Sequence, residues 1–176
     1  MPMNKKIHQN LEQCNKLIYV PLFLNISSIE KEKESQDYDA ARFNLGTAKI
    51  IFRTAKITPA KIGQFVTLWK RKQGKPIEPL NEKDDFDFVI INTQFQNKLG
   101  QFIFPKTVLS QKGIISSTFK DGKRALRVYP SWDQPTSKQA ITTKNWQKNY
   151  FIEVKEPMNS DQLDFFSHII KNKISQ

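Results

Sequence analysis

Two histidines and a single cysteine in 176 residues leave this chain with few of the side chains that carry metal and nucleophilic chemistry. His8 and His168 lie near opposite ends, and neither has a second His, Cys or carboxylate at ligand spacing. That argues against a transition-metal centre and a histidine general base. The lone Cys14 excludes an internal disulfide and a Cys-rich zinc site, and it fits a reducing cytoplasm, where the protein is expected to reside. Six glycines form neither a Walker-type phosphate loop nor GxGxxG, and no GxSxG is present. No apolar run reaches transmembrane length, so no integral membrane segment is expected. The run Leu17 to Leu24 is interrupted by Pro21 and starts too late for a signal peptide.

The absence that says most is of negative charge. From Ala40 to Ile77 there is no Asp or Glu, while Arg42, Lys49, Arg53, Lys56, Lys61, Lys70, Arg71, Lys72 and Lys75 are all basic. Phe43, Phe52, Phe65 and Trp69 are interleaved with them, as in folded strands rather than in a disordered basic tail. Between Ala40 and Ile152 twenty Lys and Arg face seven acids, a net +13, whereas the whole chain is +11. The flanks are therefore slightly acidic. A basic middle points first to nucleic acid, whose condensed counterions are released on binding, and second to an anionic membrane or an acidic protein.

Hydrophobic content of 38% with 11% aromatics is that of one globular domain. Ile7, Leu11, Cys14 and Leu17 or Ile18 give Asn4 to Ile18 the spacing of an amphipathic helix within an N-terminal helical segment, residues 1–36. The acidic stretch Glu30 to Asp39 reads as a solvent-side helix or its exit loop. Ala48–Ile57 and Gln64–Arg71 read as strands joined at Thr58-Pro59-Ala60-Lys61, and Phe88-Val89-Ile90-Ile91 as a buried central strand. Gln101–Phe104 is the returning strand, and Pro105 to Gly113 a short helix. Asp121-Gly122 signals a turn before a strand Arg124–Tyr129. Thr136 or Ser137 is placed to cap a helix reaching about Phe151, and Ser160 to cap a last helix over residues 159–174. This order of helices, four to five strands and helices predicts an α+β domain with a mixed central sheet flanked by helices.

Several blocks resemble the MepB-like bacterial proteins. They are Phe52-Arg53-Thr54-Ala55-Lys56-Ile57-Thr58-Pro59, Gly63-Gln64-Phe65-Val66-Thr67 with Trp69-Lys70-Arg71, Gly100-Gln101-Phe102 with Phe104-Pro105-Lys106, Gly122-Lys123-Arg124 with Arg127-Val128-Tyr129-Pro130 and Trp132, and Trp146-Gln147 with Tyr150-Phe151. The similarity covers residues 38–151. It implies a fold like that of the PD-(D/E)XK endonucleases, within a single domain of residues 1–176, and a nucleic-acid-binding protein; the family name carries an association with multidrug-efflux operons.

Nuclease chemistry on that fold needs an Asp, then acid-x-Lys on the next strand, to hold Mg²⁺ and steady an attacking hydroxide. With Asp87 as the first acid, the returning strand offers Gln101-Phe102-Ile103, an amide in place of the acid and Ile in place of Lys. Lys106 is the one replacement cation at hand. Asp121-Gly122-Lys123 and Glu153-Val154-Lys155 match the tripeptide elsewhere. The expectation is therefore a binder without catalysis and without a cofactor, Mg²⁺ entering only if Asp87 belongs to a working site. Phosphate contacts are expected from Arg53, Lys56, Lys61, Lys70, Arg71 and Lys72, from Lys123, Arg124 and Arg127, and from Lys138 and Lys144 on the following helix. Arg127 fits equally as a buried, paired residue. Trp132, in an expected exposed loop, is the best of the stacking candidates. Low sequence specificity follows, for single-stranded DNA, RNA or duplex DNA. A Mg²⁺-dependent endonuclease and a docking module for an acidic protein or anionic membrane are the alternatives.

Overall fold

Side chains alternate along the most apolar runs, so one sheet carries a hydrophobic core on each face. Ile50, Phe52, Phe88, Ile90 and Ile103 point to one core, while Ile51, Val89, Ile91, Phe102 and Phe104 point to the other. The computed structural model describes residues 9–175. In chain order the strands are β1 (Ile26–Lys31), β2 (Ala41–Leu45), β3 (Ala48–Thr54), β4 (Lys56–Thr58), β5 (Lys61–Thr67), β6 (Trp69–Arg71), β7 (Ile77–Pro79), β8 (Phe88–Phe95), β9 (Lys98–Pro105), β10 (Ala125–Val128) and β11 (Phe151–Val154). The α-helices are α1 (Gln9–Cys14), α2 (Lys106–Gln111), α3 (Lys138–Gln147) and α4 (Ser160–Lys171). The main sheet runs β1-β2-β3-β8-β9-β11, with β3 and β8 parallel and the other neighbours antiparallel. A three-stranded sheet β10-β5-β4 and a ribbon β6-β7 complete the set. The expected mixed sheet with flanking helices is what forms, with more strands than the four or five expected.

The first core lies under α1, its π-helical continuation Asn15–Tyr19, and α4, which bury Leu11, Ile18, Tyr19, Phe166 and Ile170. Leu11, Cys14, Leu17 and Ile18 are buried as their spacing requires, while Asn4 to His8 lie outside the described residues. The second core is roofed by the three-stranded sheet and α2 through Val66, Leu126, Val128 and Leu109. Three layers result: helices, main sheet, small sheet. β8 is central, paired to β3 on one side and β9 on the other, which explains its continuous apolar run.

Several local expectations change. The acidic stretch is no helix: β1 occupies Ile26–Lys31, and only a 3₁₀ turn, Gln36–Tyr38, follows. The segment 1–36 is thus helical only in part. Asp121-Gly122 forms no turn; it runs without regular structure into β10. Glycine is needed there because a Cβ on Gly122 would lie 2.5 Å from the Ile115 carbonyl carbon and the Ser116 nitrogen. Ser137 does cap α3, but Asn159 rather than Ser160 caps α4, in a reciprocal box with Gln162. Phe151 opens β11 rather than ending a helix.

Candidate functional site

The small sheet turns one face to its core and the other outward. Across the outward face Arg127, Phe65 and Lys56 sit directly opposite one another on β10, β5 and β4, so their side chains share that face. The Arg127 guanidinium lies 5.8 Å from the Phe65 ring centroid, the Tyr38 ring meets Phe65 edge-on at 6.1 Å, and the Lys56 ammonium is 5.1 Å from the Tyr38 ring. Arg127 also donates through Nη1 to Thr58 Oγ1 at 2.9 Å and to the Gly63 carbonyl at 3.1 Å. Gly63, at φ +88°, permits this: a Cβ would stand 2.6 Å from the Tyr129 ring and 3.0 Å from Arg127 Cγ.

Helix α3 stands over this face and closes a cleft of 710 Å³. Its sequence, Lys-Gln-Ala-Ile-Thr-Thr-Lys-Asn-Trp-Gln, has no apolar stripe to hold it down. Point anchors hold it instead. Ser137 Oγ accepts the Ala140 N–H at 3.2 Å, Trp146 packs 5.4 Å from Phe104, and Lys144 donates to the carbonyls of Ser131 and Asp133. The fully buried Gln147 bonds the free edge of β10 as another strand would, donating to the Arg127 carbonyl at 3.0 Å and accepting from the Tyr129 N–H at 2.9 Å. Gln147→Leu orphans both backbone groups and is expected to lower unfolding free energy in urea by about 2–4 kcal/mol. A loss below about 0.5 kcal/mol would show that α3 is held elsewhere.

The cleft is basic and aromatic. Lys61, Lys112, Lys123 and Arg127 line it beside Phe65, Tyr129 and Trp146, and no Asp or Glu does. Among the described residues none of these four cations meets a carboxylate within 4 Å. Burial raises the Tyr129 phenol above its usual range, partly offset by the Arg127 charge, so it remains a neutral hydroxyl. Lys112 extends over Trp146, 5.7 Å from the ring centroid. Sequence reasoning passed over Lys112, because nothing in its neighbours shows that the loop after α2 returns to β10.

Of the expected contact residues, the fold brings Lys61, Lys123 and Arg127 together here. Lys56 borders the same sheet face, and Arg124 and Lys138 are exposed nearby without lining the cleft. β10, which follows Lys123 and Arg124, pairs with β5 in the same sheet, and α3 supplies the other wall of the cleft. The rest are corrected. Arg53 is 1% exposed and ion-paired to Glu32 at 2.5 Å, leaving nothing for a ligand to touch. Lys70 pairs with Asp84, Arg71 with Glu34 at 2.9 Å and Lys72 with Glu78 at 3.7 Å, so acids from outside the acid-free run neutralise that end of it. Lys144 is engaged by loop carbonyls. Trp132 is half-buried rather than exposed, edge-on to Phe151 at 5.8 Å.

The residues suggested for a remnant active site are not assembled either. The Asp87 carboxylate accepts the Lys49 N–H at 2.7 Å and pairs with Lys173 at 2.8 Å. Gln101 pairs with Asn92, five residues along, so it lies about 17 Å from Asp87. It is buried in the first core, accepting from the Tyr19 hydroxyl at 2.7 Å and donating to Asn92 Oδ1 at 2.7 Å. Cys14 adjoins this network, its thiol pushed up to about 12 by burial, which makes it inert as a nucleophile. Lys106 donates to the Asp84 carbonyl and lies over the Phe86 ring. Among the described residues no three His, Cys, Asp or Glu converge as metal ligands, and no helix is long and apolar enough to cross a membrane.

A family model described as MepB-like matches residues 32–153, which contain every element of the cleft. The crystal structure of MepB is similar at 34% identity and a TM-score of 0.71, over 74% of this chain and 87% of that one. No curated protein shows significant similarity to the chain. The match spans more than half of the residues and coincides with the blocks read in the sequence. The chain belongs to the MepB-like family.

Proposed function

We propose that the protein binds nucleic acid in the cleft between the small sheet and α3, with little sequence preference and without cleaving it. One observation carries this reading: Lys61, Lys112, Lys123 and Arg127 converge with Phe65, Tyr129 and Trp146 in a concave, acid-free surface where, among the described residues, none of the four cations has a carboxylate partner. Arg53, Lys70 and Arg71, by contrast, are each paired with a carboxylate. Four unpaired cations within one cleft repel each other and favour a polyanion that spans them. None of the four cations lies within a helix, so contacts to backbone and base faces are favoured over base-edge reading by a recognition helix.

The PD-(D/E)XK-like architecture that the family resemblance implies belongs to this reading, supported by the parallel β3–β8 pair and the β8–β9 hairpin. Its Mg²⁺ chemistry does not fit the residues present. Asp87 is held by Lys173 and the Lys49 N–H, and the strand position facing it supplies no second carboxylate.

Four phosphate contacts on a single strand give a slope of about −2.8 in log affinity against log salt, or about 50-fold between about 50 and 200 mM. Fluorescence anisotropy with labelled 20-mers of DNA and RNA is expected to show that fall. Absence of binding to every oligonucleotide at about 50 mM salt would sink the proposal.

A further inference from the structure

The loop from Ser116 to Gly122 leaves the cleft and returns to it, for Ile114 and Lys123 at its two feet both line the cavity and Lys123 N–H donates to the Ile114 carbonyl at 2.8 Å. At its tip Phe119 is 97% exposed, more than any other large apolar side chain among the described residues. The loop is nonetheless well tied. Ser117 N–H donates to the Lys120 carbonyl at 2.9 Å, Gly122 N–H to Ser116 Oγ at 2.8 Å and Thr118 N–H to Glu82 Oε1 at 3.3 Å. Glu82 is itself fixed by the Ser110 hydroxyl at 3.0 Å, and Ser116 N–H bonds the Leu80 carbonyl at 2.7 Å. Gly122 allows the returning strand to lie directly on Ile115 and Ser116, where any side chain would collide with backbone. A fixed loop therefore presents a whole phenyl ring to water, forgoing the stabilisation that its burial would give.

The surroundings say what the ring is for. Lys120 is adjacent, Lys123 lies four residues on and so within about 14 Å, and Lys112 and Arg127 line the cleft at the loop's base. We propose that Phe119 is a base-stacking residue that extends the cleft, and that the natural ligand is therefore single-stranded nucleic acid with accessible base faces rather than a duplex. Cations at the loop's base track phosphates while the ring takes the face of an unpaired base, a combination that tolerates any sequence. Within a duplex both faces of each interior base are already stacked, so the ring gains nothing along its length. A membrane surface fits less well: one apolar side chain among Ser116, Ser117, Thr118 and Glu82 gives little area to insert, and a flat bilayer does not enter a concave cleft to reach Arg127.

The inference rests on the nucleic-acid reading, and the experiment separates the two. Anisotropy titrations of the full chain with dT and rU 12-mers and with a blunt duplex of the same length compare wild type, Phe119→Ala and Phe119→Trp. Phe119→Ala is expected to weaken single-strand binding about 5- to 150-fold, the span of one stacked base, and to leave duplex binding within about twofold. Phe119→Trp is expected to restore it. Because the ring touches no core, both variants should melt at the wild-type temperature. Single-strand affinity unchanged in Phe119→Ala, with wild type binding well, overturns the stacking role and leaves the cleft reading standing. Failure of wild type to bind any oligonucleotide overturns both. Phe119-dependent binding to anionic phosphatidylserine vesicles, without oligonucleotide binding, assigns the loop to a membrane and overturns both as well.

Discussion

Glu32→Ala is expected to lower the unfolding free energy by about 3–5 kcal/mol, a fifth or more of the about 5–15 kcal/mol that a domain usually has. The reason is the residue left behind. Arg53 is 1% exposed, its Nη1 pairs with Glu32 Oε2 at 2.5 Å and also donates to the Phe52 carbonyl at 2.8 Å, and its Nε is buried without a partner. Burial lowers the Arg53 pKa, with Glu32 the main influence holding it up and the like charge of Arg42 opposing. Without Glu32 the guanidinium stays charged in an apolar setting with no counterion. The reciprocal change is milder: after Arg53→Met, Glu32 keeps its 2.9 Å contact with Arg42 and partial access to water. The double variant Glu32→Leu/Arg53→Met should recover most of the loss, since replacing a whole buried pair with apolar side chains is often neutral. Urea denaturation of all three decides the matter. A loss below about 1 kcal/mol in Glu32→Ala would place the pair with ordinary surface bridges.

Arg53 also shows what the sequence made legible. Alternation in β3 puts Ile50 and Phe52 on one face and Ile51 and Arg53 on the other, and both faces are buried. The period was readable, but a basic residue within a basic run looked like part of a surface. Its counterion comes from Glu32, twenty-one positions earlier, beyond the reach of any local pattern. The same holds for Lys70, Arg71 and Lys72, whose neutralising acids are Asp84 in the loop after β7, Glu34 before β2 and Glu78 in β7. A charge run states composition, whereas exposure and pairing are set by what folds beside it. The central hairpin β8–β9 and helix α4 were readable because an apolar run and a 3.6-residue period are strong local signals. β1 was not, since it is an edge strand almost wholly exposed and bulged at Ser28, with φ +53°, so it shows no alternation. The cleft fell between these cases. Lys61, Lys123 and Arg127 stand out in the sequence, but their meeting with Lys112 and Trp146 depends on the loop after α2 returning to β10 and on α3 crossing the small sheet.

That topology yields the sharpest test of where an anion binds. Replacing Lys61, Lys112 and Lys123 with Gln removes three cations from the cleft, and replacing Lys70, Arg71 and Lys72 with Gln removes three from the ribbon β6–β7. Both triples take the formal charge from +11 to +8, because each loses three positive charges. If binding answered to net charge alone, the two would weaken it alike. On the cleft reading, the first triple lowers the magnitude of the salt slope by about 2, at about 0.7 per lost contact on a single strand. Extrapolated from about 1 M salt, where such contacts contribute little, this is about 500-fold weaker binding near 50 mM. The second triple releases Glu34, Glu78 and Asp84 from their partners but removes no phosphate contact. Its slope should stay within about 0.5 of wild type, with a modest loss of affinity from the lowered overall charge, which salt screens. Arg127 is left in place because its bonds to Thr58 and Gly63 hold the sheet face together, so its removal confuses binding with folding. Equal slopes in the two triples would assign the binding to the protein's overall charge and leave the cleft without a role. A selective loss in the first assigns it to Lys61, Lys112 and Lys123, cleft cations that meet no carboxylate among the described residues.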